Sequence, residues 1–264
     1  AISVSDTGDL FAVLLDNKAT NSTTLYTYNK HGKNLHTNSN LPFGAFHIDV
    51  CATGMYVAYH VNVFLYVTDT TTNKIRWISQ KLGYIDAVLA ISATGNYIVS
   101  GFLSANLYEW SSKTSSYKVT AMYHPVGQEM LYSAAISDST VALGWAAYKA
   151  DHNQIQVYST ATTKALWTYE YPSTASSGLQ DVPSSIDMTT DGKYMVVGSW
   201  GDQNTNNTQV RVWAVKDKSP MFELYTAGSV FAVSIGELSP TEIVVAAGCK
   251  AVHANQMGRG GFLY

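Results

Sequence analysis

Two aspartates of this chain share one register. Asp49 stands in "HIDVCATG" and Asp187 in "IDMTTDG", each two residues ahead of the residue that opens a turn. Ser3, Ala90 and Ala135 hold the same place in related stretches. Two converging carboxylates can hold a cation or activate a water. The plainer alternative is that each accepts hydrogen bonds from backbone amides of a neighbouring element. A second group is aromatic. His60, Phe102, Trp145 and Trp200 each close a very apolar run. Rings beside Asn and Asp are what a sugar-binding surface needs, because rings cover apolar sugar faces and amides bond hydroxyls. The same rings can instead cap gaps between packed elements. A third group is the pair of N-glycosylation sequons, Asn21-Ser22-Thr23 and Asn206-Asn207-Thr208.

Little other chemistry is present. There is no phosphate-binding glycine loop, no Cys/His metal cluster and no nucleophile elbow. "GRGG" at 258–261 reads as a turn. No cofactor is expected. The formal net charge is −3 with no basic run, which argues against nucleic acid as a partner. No apolar stretch is long enough for a membrane helix. Of the 264 residues 46% are hydrophobic and only 13% are charged, so polarity comes from Ser, Thr, Asn and Tyr. Such a hydroxyl-rich surface fits an extracellular or cell-surface protein. Cys51 and Cys249 are too sparse for a disulfide framework and are expected as unpaired, buried thiols.

The elements that position these residues repeat. "ISATGNYIVSG" at 91–101 is echoed by "IDMTTDGKYMVVG" at 186–198. Aligned on that turn, the chain shows six units, with boundaries near 1–44, 45–83, 84–127, 128–180, 181–228 and 229–264. Each unit has an inner strand, a tight turn, a very apolar second strand, an alternating third strand and a short polar fourth strand. Second strands are expected near 10–15, 55–60, 96–101, 140–145, 193–198 and 242–247. Four strands in a period of about 44 residues mark a β-propeller blade. Gly8, Gly54, Gly95 and Gly192 stand where the first turn needs positive φ. The expected fold class is all-β, a single six-bladed propeller domain over 1–264.

The units resemble WD-repeat-like and quinoprotein-like propeller repeats. The resemblance is carried by Ser92-Ala93-Thr94-Gly95-Asn96-Tyr97, by Thr190-Asp191-Gly192-Lys193-Tyr194 and by Val-Arg-Val-Trp at 210–213. It covers nearly the whole chain. The Gly-His and Trp-Asp dipeptides of true WD repeats are missing, as is a quinone pocket, so the resemblance implies a fold and no cofactor.

In such a ring the loops at 16–23, 122–132, 146–153, 170–183 and 201–208 share one face, and their length favours a role in binding. Blades two and five lie opposite each other, which would turn Asp49 and Asp187 towards a central channel. The sixth unit reaches only its third strand, Gly261, Phe262, Leu263 and Tyr264, so its outer edge is expected to lack a fourth strand. A further segment of a longer protein, a neighbouring chain or a loop would cover it, since a bare strand edge is a template for pairing. The reading is therefore a non-catalytic binding or assembly module, acting through the long-loop face, with glycan as one ligand class, or through the open edge. The alternative is a propeller hydrolase or lactonase with a channel metal near Asp49 and Asp187.

Overall fold

The computed structural model describes residues 1–82, 88–125, 127, 129–147, 153–171, 181–201, 207–239, 242–253 and 258–264. No helix occurs among the described residues. The fold is all-β, that of a six-bladed β-propeller with five four-stranded antiparallel blades and a last blade of three strands. Blade one is β1 (Ile2–Val4), β2 (Leu10–Asn17), β3 (Ser22–Asn29) and β4 (Asn34–Pro42). Blade two is β5 (Ala45–Val50), β6 (Tyr56–Val61), β7 (Phe64–Asp69) and β8 (Lys74–Ile78). Blade three is β9 (Val88–Ile91), β10 (Tyr97–Gly101), β11 (Ala105–Ser111) and β12 (Ser116–Tyr123). Blade four is β13 (Met130–Ile136), β14 (Thr140–Ala146), β15 (Gln154–Ser159) and β16 (Ala165–Glu170). Blade five is β17 (Pro183–Met188), β18 (Tyr194–Ser199), β19 (Val210–Ala214) and β20 (Phe222–Leu224). Blade six is β21 (Val230–Ser239), β22 (Glu242–Lys250) and β23 (Gly261–Leu263). The second strands lie where the repeat places them.

The chain divides into two compact units, Ala1–Met122 and Tyr123–Tyr264. In the first, Leu10, Ala12 and Leu14 of β2 pack on Val57, Tyr59 and Val61 of β6. Ala58 of β6, with Leu65 and Val67 of β7, packs in turn on Leu89, Ile91 and Ile98 of blade three. In the second, Ala135, Ala142, Ile155 and Val157 pack on Ile186, Met188, Met195 and Val197 of blade five. Val196, Val210 and Val212 then pack on Val230, Ile235 and Ala247 of blade six. Alternate residues of one strand thus serve two neighbouring blades. This is why the second strands read as unbroken apolar runs rather than as alternating ones.

The opening turns reuse one device. Ser5 Oγ accepts the amide of Leu10 at 3.2 Å, Ser92 Oγ that of Tyr97 at 3.1 Å, and Thr189 Oγ1 that of Tyr194 at 3.1 Å. Gly8, Gly54, Gly95 and Gly192 follow at φ of 69°, 71°, 72° and 73°. Cys51 occupies the same register, and its Sγ accepts the amide of Tyr56 at 3.2 Å. The thiol stands in for the turn hydroxyl, which accounts for a cysteine here. Cys51 and Cys249 are both free and buried.

Candidate functional site

The two aspartates do structural work that the repeat explains. Asp49 Oδ2 accepts the amide of Ile91, one blade on, at 2.9 Å. Its Oδ1 accepts the Ser3 hydroxyl at 3.1 Å and the amide of Val50 at 3.0 Å. In the second unit Asp187 Oδ2 accepts the amide of Ile235 at 2.8 Å and the Ser234 hydroxyl at 3.0 Å. Its Oδ1 accepts the amide of Met188 at 2.8 Å. Ser3 repeats the pattern, its Oγ accepting the amide of Val50 at 3.1 Å. In each case one side chain of an inner strand reaches forward to the N–H at the next register position of the following blade. That N–H points off the inner strand's free side and has no ladder partner, so a side-chain acceptor satisfies it. Among the described residues no group of three or more His, Cys, Asp and Glu side chains is placed to share a metal ion.

The four rings divide. His60 is buried, with Nε2 3.1 Å from Ser100 Oγ and its ring edge-on to His47. Trp145 is fully buried. The expectation that both emerge at strand ends is therefore corrected. β6 and β14 each continue one residue further, to Val61 and Ala146, so these rings still fall within the packed layer. Phe102 is half-buried in the tight turn that its amide closes on Ser104. Trp200 is half-buried between Tyr132 and Phe231, at ring distances of 6.2 and 5.8 Å. Asn21 is exposed, at the turn between β2 and β3 with φ of 51°. Asn206 lies outside the described residues, as does most of the loops at 146–153, 170–183 and 201–208.

At the outer side of blade six, β23 pairs only with β22, in the register Gly248↔Leu263, Cys249↔Phe262 and Lys250↔Gly261. Tyr264 exchanges both backbone hydrogen bonds with Ala247, at 3.0 and 3.1 Å. By strand alternation Phe262 also points its backbone groups at β22, so the N–H and C=O of Gly261 and Leu263 point outward. Among the described residues no fourth strand meets them. The segment is apolar and open, with Phe262 53%, Leu263 80% and Tyr264 45% exposed.

Two buried polar groupings of the second unit were not singled out from the sequence. Along β15, Tyr158 Oη donates to Gln156 Oε1 at 2.6 Å and Gln156 Nε2 donates to Gln154 Oε1 at 3.3 Å. Gln154 Nε2 faces the buried Glu129 carboxylate at 3.5 Å. Burial pushes the Tyr158 phenol up to about 12, which keeps it a donor. The alternation Gln154-x-Gln156-x-Tyr158 signals a shared face, but only the fold shows that the face is inside. In blade five Arg211 is buried, with Nε 2.8 Å from Glu223 and its guanidinium 5.0 Å from the Tyr171 ring centre. Burial raises the Tyr171 phenol, offset in part by the Arg211 charge. Alternation in Val-Arg-Val-Trp puts Arg211 on the Trp213 face, towards blade four's outer strand.

No protein-family model matches the chain, and no curated protein matches it.

Proposed function

We propose that this chain is a binding or assembly module of the extracellular space whose partner adds a β-strand to the open edge of blade six. The observation that carries this reading is β23: outward-pointing backbone groups at Gly261 and Leu263 beside exposed Phe262, Leu263 and Tyr264. Strand addition satisfies that edge through main-chain hydrogen bonds and uses the side chains for selectivity. A glycan-binding face has weaker support, because His60 and Trp145 are buried and only Phe102 and Trp200 are partly open. A catalytic role for Asp49 and Asp187 is not favoured, because the oxygens of both carboxylates already accept protein N–H and O–H donors.

The test uses this chain's own fourth-strand chemistry as the probe, a fluorescent peptide of residues 73–80. Saturable binding with a dissociation constant of about 1 mM or tighter is expected by anisotropy. Leu263→Pro removes an outward N–H while leaving the ladder to β22 intact, and proline is tolerated on edge strands. Binding should be lost in that variant. No saturable binding, or equal binding by Leu263→Pro, ends the proposal.

The extracellular part of the reading is supported by the exposed Asn21 in its sequon. Protein from a eukaryotic secretory source should exceed the 28.7 kDa of the bare chain, and Asn21→Gln should remove a glycan's mass. A native mass equal to that of the bare chain counts against it.

A further inference from the structure

We propose that the outer rim of the joint between blades two and three binds an acidic peptide segment, one carboxylate of which pairs with Arg76. The site is separate from the β23 edge and does not depend on it. Every residue that forms it belongs to the first unit, Ala1–Met122.

Arg76 owes its place to an irregularity of the outer strand. Val67 pairs with Trp77 and Thr68 with Ile75, so Arg76 is the extra residue of a bulge in β8. Two other blades carry a bulge at the same place. In blade one Thr27 pairs with His36 and Tyr28 with Asn34, which leaves Leu35. In blade four Val157 pairs with Trp167 and Tyr158 with Ala165, which leaves Leu166. Both leucines are exposed, at 40% and 54%. The bulge therefore needs no arginine. Arg76 is instead half-buried, with its guanidinium 3.6 Å from the Trp110 ring centre and 4.1 Å from that of Tyr56.

These rings satisfy the flat faces of the cation and leave its N–H groups. Nη1 is buried and meets no acceptor. Among the described residues no Asp or Glu forms an ion pair with Arg76. The described acids of the two blades are engaged elsewhere. Asp49 accepts the amide of Ile91, and Asp69 accepts the amides of Thr71 and Thr72. Glu109 accepts the Tyr97 hydroxyl at 3.4 Å, and by alternation it lies on the opposite face of β11 from Trp110. Arg211 of the second unit shows what Arg76 lacks. It too lies against aromatic rings, but Glu223 accepts its Nε at 2.8 Å. A half-buried guanidinium without its acid calls for an acceptor from outside. A carboxylate matches its planar fork with two parallel hydrogen bonds.

The surroundings select the occupant. Ile75 and Ile78 flank Arg76 along β8 and are 40% and 46% exposed. Val119 shares the Tyr117 face of β12 by alternation and is 52% exposed. Lys74 on β8 and Lys118 on β12 are exposed, and neither strand carries an acid. Apolar side chains set among cations fit a peptide in which acidic and apolar residues alternate. A free phosphate or sulfate has nothing to lay on the apolar part.

The probe is a short fluorescent peptide that alternates glutamate and valine, with its glutamine counterpart as the control. Anisotropy at low ionic strength should show saturable binding of the acidic peptide, with a dissociation constant of about 1 mM or tighter, and none of the control. Arg76→Lys keeps the charge but loses the fork, and should bind about tenfold more weakly. A second readout needs no variant. In the wild type labelled with ¹⁵N-arginine, the Arg76 Nε–H resonance should shift on titration with the peptide, while that of Arg211, held by Glu223, should stay. Leu263→Pro should bind the acidic peptide as the wild type does, so failure of the edge reading and failure of this one are separable. Equal binding by Arg76→Lys, equal binding of the glutamine peptide or an unmoved Arg76 resonance overturns the inference. So does a larger shift of that resonance with inorganic phosphate or sulfate than with the peptide.

Discussion

Replacing Gly95 by alanine is expected to destabilise the protein by about 3 kcal/mol, against about 1 kcal/mol for the same change at Gly8. Both glycines hold the left-handed conformation, at φ of 72° and 69°. The strain of putting a side chain there is common to both. The difference lies in what the new methyl meets. At Gly8 nothing lies within 4 Å, whereas at Gly95 the added Cβ would stand 2.5 Å from Cδ2 and 3.2 Å from Cγ of Tyr56. Tyr56 cannot swing clear. The Arg76 guanidinium lies 4.1 Å from its ring centre and is itself stacked 3.6 Å over Trp110. The backbone cannot shift cheaply either, because the Tyr117 hydroxyl donates to the Gly95 carbonyl. Urea denaturation midpoints read the difference. The clash is a pairwise effect, so Tyr56→Ala combined with Gly95→Ala should cost less than the two changes summed. Equal losses at Gly8 and Gly95, or strict additivity, would show that φ strain alone decides the cost.

Gly95 also illustrates what is legible in this sequence. The Thr-Gly turn between an inner and a second strand is a local feature, set by residues within ten positions of each other, and it repeats. The strand order, the blade boundaries and the open third strand of blade six all follow from that repetition. The register of Cys51 was legible in the same way: aligned on the turn, it falls on Ser5, Ser92 and Thr189, whose hydroxyls do what its sulfur does.

Contacts between blades were not legible. Asp49 reaches an amide 42 residues on and Asp187 one 48 residues on. Their common register was visible in the sequence, but two carboxylates in one register fit a metal site as well as they fit a series of straps. The deciding fact is a backbone N–H, which every residue but proline carries and no sequence pattern displays. His60 and Trp145 show the opposite error. They end apolar runs, yet β6 and β14 each extend one residue beyond them, and that residue keeps the ring inside. Arg211 was readable as to its face, by alternation with Trp213. Its acid, Glu223, lies on the short fourth strand that the repeat places there, but no sequence pattern shows that the two side chains meet.

Asp187→Ala is expected to cost about 2–3 kcal/mol, the loss that follows when a buried donor is left without its acceptor. Ile235 lies in the apolar joint between blades five and six, so water reaches its amide poorly once the carboxylate is gone. The Ser234 hydroxyl and the Met188 amide lose an acceptor in the same step. Asp187→Asn keeps one carbonyl oxygen and should recover roughly half of the loss, because a charge-assisted bond is about twice as strong as a neutral one. Ser3→Ala is the control in the first unit. The amide of Val50 that Ser3 accepts also has Asp49 Oδ1 at 3.0 Å, so removing the hydroxyl leaves that donor satisfied. Its cost should stay below about 1 kcal/mol. The order Asp187→Ala, then Asp187→Asn, then Ser3→Ala is read from urea midpoints at neutral pH. It follows from geometry alone: a side chain matters in this fold to the degree that it is the sole acceptor for the next blade's amide. Should Asp187→Ala prove as mild as Ser3→Ala, the hydrogen bond from Asp187 to the amide of Ile235 does not hold blades five and six together.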